Sequence, residues 1–202
     1  MSAPSSSGSR SGSEPAAARR RFLGVSAGLL LVWGGAAGAQ EGVFLQPEDA
    51  ARTLFPDAEA IRRRRLAADA ALRERVRALL GRGQPSLWEE AYPIFTVLRG
   101  ETVLGHVVVV EEIGKHRPIT FAVGVDATGR VADVAVLAYR EPYGGEIRHR
   151  RFLDQYRGKT LADPLQPYRD IRNITGATLS VEATGRAVRK AVAVLTAAGL
   201  LR

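Results

Sequence analysis

Tyr92–Glu111 reads YPIFTVLRGETVLGHVVVVE, and the way this stretch divides decides the fold. Ile94–Leu98 on one side, and Thr102, Val103 and Val107–Val110 on the other, are runs of β-branched and bulky apolar residues of strand length. Between them, Arg99-Gly100-Glu101 places a glycine where a turn is needed. Two strands, Tyr92–Leu98 and Thr102–Glu111, are therefore predicted as a hairpin. The pattern returns at Ile119–Val125 and Val131–Tyr139, joined by Asp126-Ala127-Thr128-Gly129-Arg130. The expected class is α+β, an antiparallel sheet of two hairpins flanked by helices.

Upstream, Pro47-Glu48-Asp49 suits a first helical turn, and Ala51, Leu54 and Phe55 form a short apolar face before Pro56. Asp57 is expected to cap a longer helix reaching Leu80, with Leu72, Val76, Leu79 and Leu80 on one side. In such a helix Arg62–Arg65 form a solvated face, balanced by Asp57, Glu59, Asp69 and Glu74, in preference to an anion-binding patch. Gly81-Arg82-Gly83-Gln84-Pro85 breaks the chain. Residues 40–85 are thus predicted as an N-terminal helical segment, and 86–202 as the principal domain.

The first 39 residues look like an address. Arg19-Arg20-Arg21-Phe22-Leu23 leads an apolar stretch to Trp33, then Gly34-Gly35 and Ala37-Gly38-Ala39, the order of a signal sequence with cleavage after Ala39. The apolar run falls short of the ~20 residues that span a bilayer, which favours cleavage over an uncleaved anchor. Arg-Arg-x-Phe-Leu is twin-arginine-like, the type of signal that carries proteins already folded and often already loaded with cofactor. The expected location is the periplasm or the outer face of the cytoplasmic membrane.

Composition removes several chemistries. The 202-residue chain has no cysteine, which excludes disulfides, iron–sulfur clusters and thiolate metal sites. Its formal net charge of +8 is carried almost wholly by arginine and is spread along the chain, the lysines being Lys115, Lys159 and Lys190. For an exported protein, nucleic acid is not an expected partner. His106, His116 and His149, with Glu111 and Glu112, match no spacing of a metal or triad signature, so no catalytic residue and no metal ligand are assigned. Lys115-His116-Arg117-Pro118 is expected as a solvated hairpin loop, with bordering a bound cofactor or a partner protein as the alternative.

Beyond the hairpins comes Arg140-Glu141-Pro142-Tyr143-Gly144-Gly145-Glu146, a loop with proline and paired glycine. A helix is predicted at Ile147–Tyr156, a loop at Lys159–Asn173, and a last helix at Val181–Ala198. That helix sets Val181, Val188, Val192 and Leu195 against Glu182, Arg186, Arg189 and Lys190. Ile174-Thr175-Gly176-Ala177-Thr178-Leu179-Ser180 occupies the junction, where free N–H groups and the helix dipole favour an anion. Gly176 and Ala177 allow close approach; Thr175, Thr178 and Ser180 offer hydroxyls. A phosphate fits there, but Ser180 as a plain helix cap explains the residues as well, and the residues alone favour the cap.

Thr175-Gly176-Ala177-Thr178 before a C-terminal helix resembles the FMN-binding domain family, found in flavin subunits of the Rnf and Nqr respiratory complexes and in single-domain relatives. The resemblance spans approximately Tyr92–Leu195 and makes 86–202 the FMN-binding domain. It implies FMN as cofactor, attached by a phosphoester to Thr178 by a flavin transferase, with Thr175, Gly176, Ala177 and Ser180 around the attachment point. It further implies that Glu141, Tyr143, Gly144 and Gly145 form a loop near the isoalloxazine ring. Arg172 and Asn173 depart from the Asp and Gly usual in the transferase recognition pattern, and Asp170 stands two residues early; FMN held tightly without the covalent bond is the alternative at the same site. The implied role is an exported electron-transfer flavoprotein, an electron carrier or redox subunit in place of a self-sufficient enzyme. Its implied partner is a membrane quinol or haem oxidoreductase or another exported redox protein. The rival is a cofactor-free basic interaction module docking on a membrane or redox complex.

Overall fold

The computed structural model describes residues 42–81 and 85–201; the predicted signal sequence lies outside them. The chain begins with β1 (Gly42–Val43), α1 (Pro47–Leu54), β2 (Ala60–Ala67) and α2 (Ala70–Leu80). Four long strands follow, β3 (Ala91–Arg99), β4 (Thr102–Ile113), β5 (Pro118–Asp126) and β6 (Val131–Tyr139). A 3₁₀ turn at Gly145–Arg148, the short α3 (Arg150–Leu153), a second 3₁₀ turn at Asp154–Tyr156, and α4 (Thr178–Ala197) complete it.

Both predicted hairpins are present, and the class is α+β. The sheet is larger than two hairpins: six antiparallel strands in the order β1-β6-β5-β4-β3-β2. Each face is buried, which explains the unbroken apolar runs such as Val107–Val110. Ile94, Val108, Val110, Phe121 and Val123 face one core with α2 and α4, while Phe95, Val97, Val107 and Ala122 face a second under α1. The α1 side lies close against the sheet. A Cβ on Gly105 or Gly124 would meet the Phe55 ring at 2.8 and 2.9 Å, so the two strand glycines make room for it.

The predicted second helix is corrected. Residues 60–67 form β2, paired with β3 along its whole length from Ala60↔Leu98 to Ala67↔Ala91. Arginine is a good helix former, and local propensity here yields to the edge that β3 offers. The helix starts later, where Asp69 Oδ1 accepts from Leu72 N at 2.7 Å. Leu72, Val76 and Leu80 are buried as expected, whereas Leu79 is exposed. All four arginines Arg62–Arg65 remain exposed, on an edge strand instead of a helix face. Charged residues there oppose further strand pairing; Arg63 also pairs with Glu48 at 2.7 Å.

The predicted helix at Ile147–Tyr156 is a broken one, α3 between two 3₁₀ turns. It is tied to β6 by Asp133, whose carboxylate takes Arg150 at 2.7 Å and Arg157 at 2.9 Å. The loop after it lies on α4 through a close backbone approach, because a Cβ on Gly185 would sit 2.0 Å from the Leu165 carbonyl oxygen. Gly185→Ala is therefore expected to cost about 3 kcal/mol, since backbone must move, where exposed helix glycines gain from the same change. Urea denaturation checks this; unchanged stability would show that the loop yields freely.

Candidate functional site

α4 begins at Thr178, three residues before the predicted start, with Ala177 at the N-cap position and no side chain capping it among the described residues. Ser180 is therefore not the cap. It is buried inside the first turn, its Oγ 3.0 Å from Tyr139 Oη. The first N–H groups of a 20-residue helix stay available to an anion. Gly176, with φ of 81°, turns the chain into the helix in a conformation open to glycine at little cost. Thr175 and Gly176 are exposed, Ala177 is buried and Thr178 is half-buried.

The Glu141–Gly145 loop packs against this turn, so two motifs far apart in sequence form one place. Tyr139 Oη donates to the Tyr143 carbonyl as well as meeting Ser180. Gly144 has φ of 86°, and a Cβ there would lie 2.8 Å from Ser180 Oγ and 3.2 Å from the Ala177 Cβ. Gly145 is buried, and Tyr143 is 77% exposed.

Glu141 is placed differently from its neighbours. It is 2% exposed, and its Oε1 accepts from the backbone N–H of His116 at 2.5 Å and of Arg117 at 2.9 Å. Its carboxylate thus anchors the β4–β5 turn, which brings Lys115–Pro118 up to the loop. Burial pushes this carboxyl up, but the N–H groups of Arg117, His116 and Lys115 outweigh it and hold the group below its ordinary range. A lowered folded pKa gives stability above the unfolded value that is lost as pH falls through the folded one. Glu141→Gln is expected to cost roughly 1.5–3 kcal/mol at neutral pH. The gap from wild type should shrink below pH ~4.3. Thermal melts between pH 3 and 7 test this, and a gap independent of pH would sink it.

On the other side of Thr178 lies the loop from 163 to 173. Leu165 and Tyr168 take positive φ values of 52° and 64°. Asp170 Oδ1 accepts from Gln166 N at 3.0 Å and Oδ2 pairs with Lys159 at 3.0 Å, so this carboxylate is spent within the loop. Two grooves of about 590 and 280 Å³ flank the chain here, sharing Gln155, Arg172 and Asn173 in their walls. Arg151 and His149 line the smaller one. Asn173 Oδ1 is buried without a partner among the described residues.

An uncapped helix end and arginines at its approach suit an anionic phosphate ligand, whereas the orphaned Asn173 Oδ1, an acceptor, calls for a donor. Residues 114–193 match the FMN-binding domain family. Over that span the chain is similar to FMN-binding domains. FMN is the cofactor that goes with them. The matched span of the FMN-binding domain starts at the β4–β5 turn and takes in β5, β6, the Glu141–Gly145 loop, α3, the Thr-Gly-Ala-Thr motif and most of α4. Among solved structures the chain is similar to NqrC of Shewanella oneidensis, with 16% identity and a TM-score of 0.49, over 72% of this chain and 84% of that one. No curated protein matches.

The remaining candidates lie elsewhere. His106 is buried in the sheet, Nδ1 3.1 Å from Thr96 Oγ1, and burial lowers its pKa. No group of three potential metal ligands forms among the described residues. Nor is any helix among them long and apolar enough to cross a membrane. Sequence reasoning missed Tyr168 and Gln155; the exposed aromatic beside Pro167 was the signal for the first.

Proposed function

We propose that this chain is an exported electron-transfer flavoprotein whose FMN is joined through its phosphate to Thr178. The observation that carries this is the half-buried Thr178 hydroxyl at the first position of an uncapped 20-residue helix, faced by the Tyr143–Gly145 loop. Thr178 supplies the ester oxygen, the N–H groups of the first turn meet the phosphate charge, and Arg172 lies at the approach. Thr175, Gly176 and Ala177 shape the backbone around the phosphate; Ser180 fixes Tyr139, and Glu141 and Gly144 fix the facing loop. Three exposed apolar side chains flank the position: Tyr143, Tyr168 at 79% and Leu179 at 45%. They offer faces against which a flat ring packs while an edge stays open to solvent. Bound FMN supplies one- and two-electron transfer, and the protein holds the ring and tunes its surroundings.

A tether keeps the cofactor on a protein that works outside the cytoplasm. The expected partners are a flavin transferase and a membrane quinol or haem oxidoreductase, or another exported redox protein. In the N-terminal segment, β2 and α1 complete the sheet and cover its second core. The experiment is intact mass and in-gel ultraviolet fluorescence of the denatured chain after production with and without a flavin transferase. A transferase-dependent gain of one FMN less water supports the reading. A chain that gains nothing and is colourless when native would hand the lead to a cofactor-free module docking through its arginines.

A further inference from the structure

The Thr178 hydroxyl is held by a side chain that the Thr-Gly-Ala-Thr motif does not contain. Asn173 Nδ2 donates to Thr178 Oγ1 at 2.9 Å and to Tyr168 Oη at 2.5 Å. Tyr168, which steers the carboxamide, sits in the left-handed region that a tyrosine rarely adopts. Its loop is fixed at Asp170 by Lys159 and the Gln166 N–H, and at Leu165 by the backbone approach to Gly185. A conformation of that kind persists only where its surroundings over-determine it, and such strain collects at functional sites. Here the constrained loop ends in one polar contact, on the hydroxyl proposed to carry the flavin.

We infer that Asn173, steered by Tyr168, is a positioning residue that presents Thr178 Oγ1 to the phosphoryl donor during flavin attachment. The inference rests on the phosphoester reading above. In that transfer the Thr178 Oγ1–P bond forms as the pyrophosphate P–O bond of flavin adenine dinucleotide breaks. AMP leaves, the hydroxyl proton passes to a base of the transferase, and no electrons change hands. An N–H donor on one lone pair of Oγ1 fixes the side-chain rotamer while leaving the proton free to depart and another lone pair free to attack. The same donor stabilises negative charge as it grows on the oxygen. Asn173 thereby gives a use to one of the two positions, 172 and 173, at which the chain departs from the usual recognition pattern.

The test is the rate of covalent flavin incorporation into the full chain by a flavin transferase with flavin adenine dinucleotide and Mg²⁺, followed by intact mass. Asn173→Ala is expected to lower kcat about 10- to 100-fold, the scale of a misplaced reacting group, with KM for the acceptor protein unchanged. Tyr168→Phe keeps the ring and removes the anchor, and is expected to slow incorporation several-fold. Asn173→Asp should be no faster than Asn173→Ala, because it replaces a donor with a negative charge beside the phosphate. Melting curves of each variant separate these effects from misfolding. Equal rates for wild type and Asn173→Ala, or a faster Asn173→Asp, would overturn the inference while leaving the phosphoester intact. A wild-type chain that never gains mass would overturn both.

Discussion

A Thr178→Ala chain produced alongside a flavin transferase and then denatured is expected to carry no flavin at all, while the native variant still binds FMN reversibly. The loss is complete because no other hydroxyl at the junction can take over. Ser180 is buried, with its Oγ against Tyr139 Oη, and exposing it would unwind the first turn of α4. Thr175 lies in the loop on the far side of Gly176, outside the helix. Reversible binding should survive because the N–H groups of the first turn are backbone and unaffected by the substitution. Thr178→Ser keeps the oxygen and should keep the covalent gain, with slower attachment, since serine lacks the β-branch that restricts χ1. The measurements are absorbance of the native protein and mass of the denatured one. A mass gain retained in Thr178→Ala would move the attachment to another residue, and peptide mapping would name it.

The two hairpins were legible because β-branched residues and turn glycines agree with the pairing that forms. β2 was hidden because Arg62–Arg65 suit a solvated helix locally, and only the free edge of β3 decides otherwise. The motif itself was legible, but its partners were not: sequence spacing cannot show that Gly144 sits against Ser180, or that Asn173 reaches Thr178. Glu141 shows the limit within a motif. Its neighbours Tyr143 and Gly144 pack at the junction, while its own carboxylate turns the other way to hold a hairpin turn. Helical periodicity misplaced Lys190 for a similar reason. It was assigned to the polar face of α4, yet it is 0% exposed, because Glu112 of β4 and Glu89 of the segment before β3 meet it inside the protein.

That buried lysine carries the second large prediction. Lys190 Nζ lies 2.7 Å from Glu89 Oε1 and 2.9 Å from Glu112 Oε1, and donates to the Glu111 carbonyl at 2.5 Å. Arg186 Nε is 3.2 Å from the other Glu112 oxygen. Lys190→Met fills similar space but leaves the buried Glu112 and the half-buried Glu89 short of a cation, and is expected to cost ~3–5 kcal/mol at neutral pH. For a protein of this size that is roughly 6–20 °C in Tm. Burial already holds the Glu112 carboxyl above its ordinary range, against the pull of Lys190 and Arg186, and without Lys190 it rises further. A raised folded pKa gives stability that is present below the unfolded value, ~4.3, and lost as pH rises through the folded one. The variant should therefore be most damaged near pH 7.5 and recover toward wild type as pH falls to 5. Adding Glu112→Gln to Lys190→Met should restore part of the loss at pH 7.5 and flatten the pH dependence. Carboxylates elsewhere whose pKa values are lowered, such as Asp163 and Asp170, titrate in both proteins and cancel in the difference. Equal Tm deficits at pH 5 and pH 7.5 would mean that the cost is one of packing, and that Lys190 does not pull the Glu112 carboxyl toward its charged form.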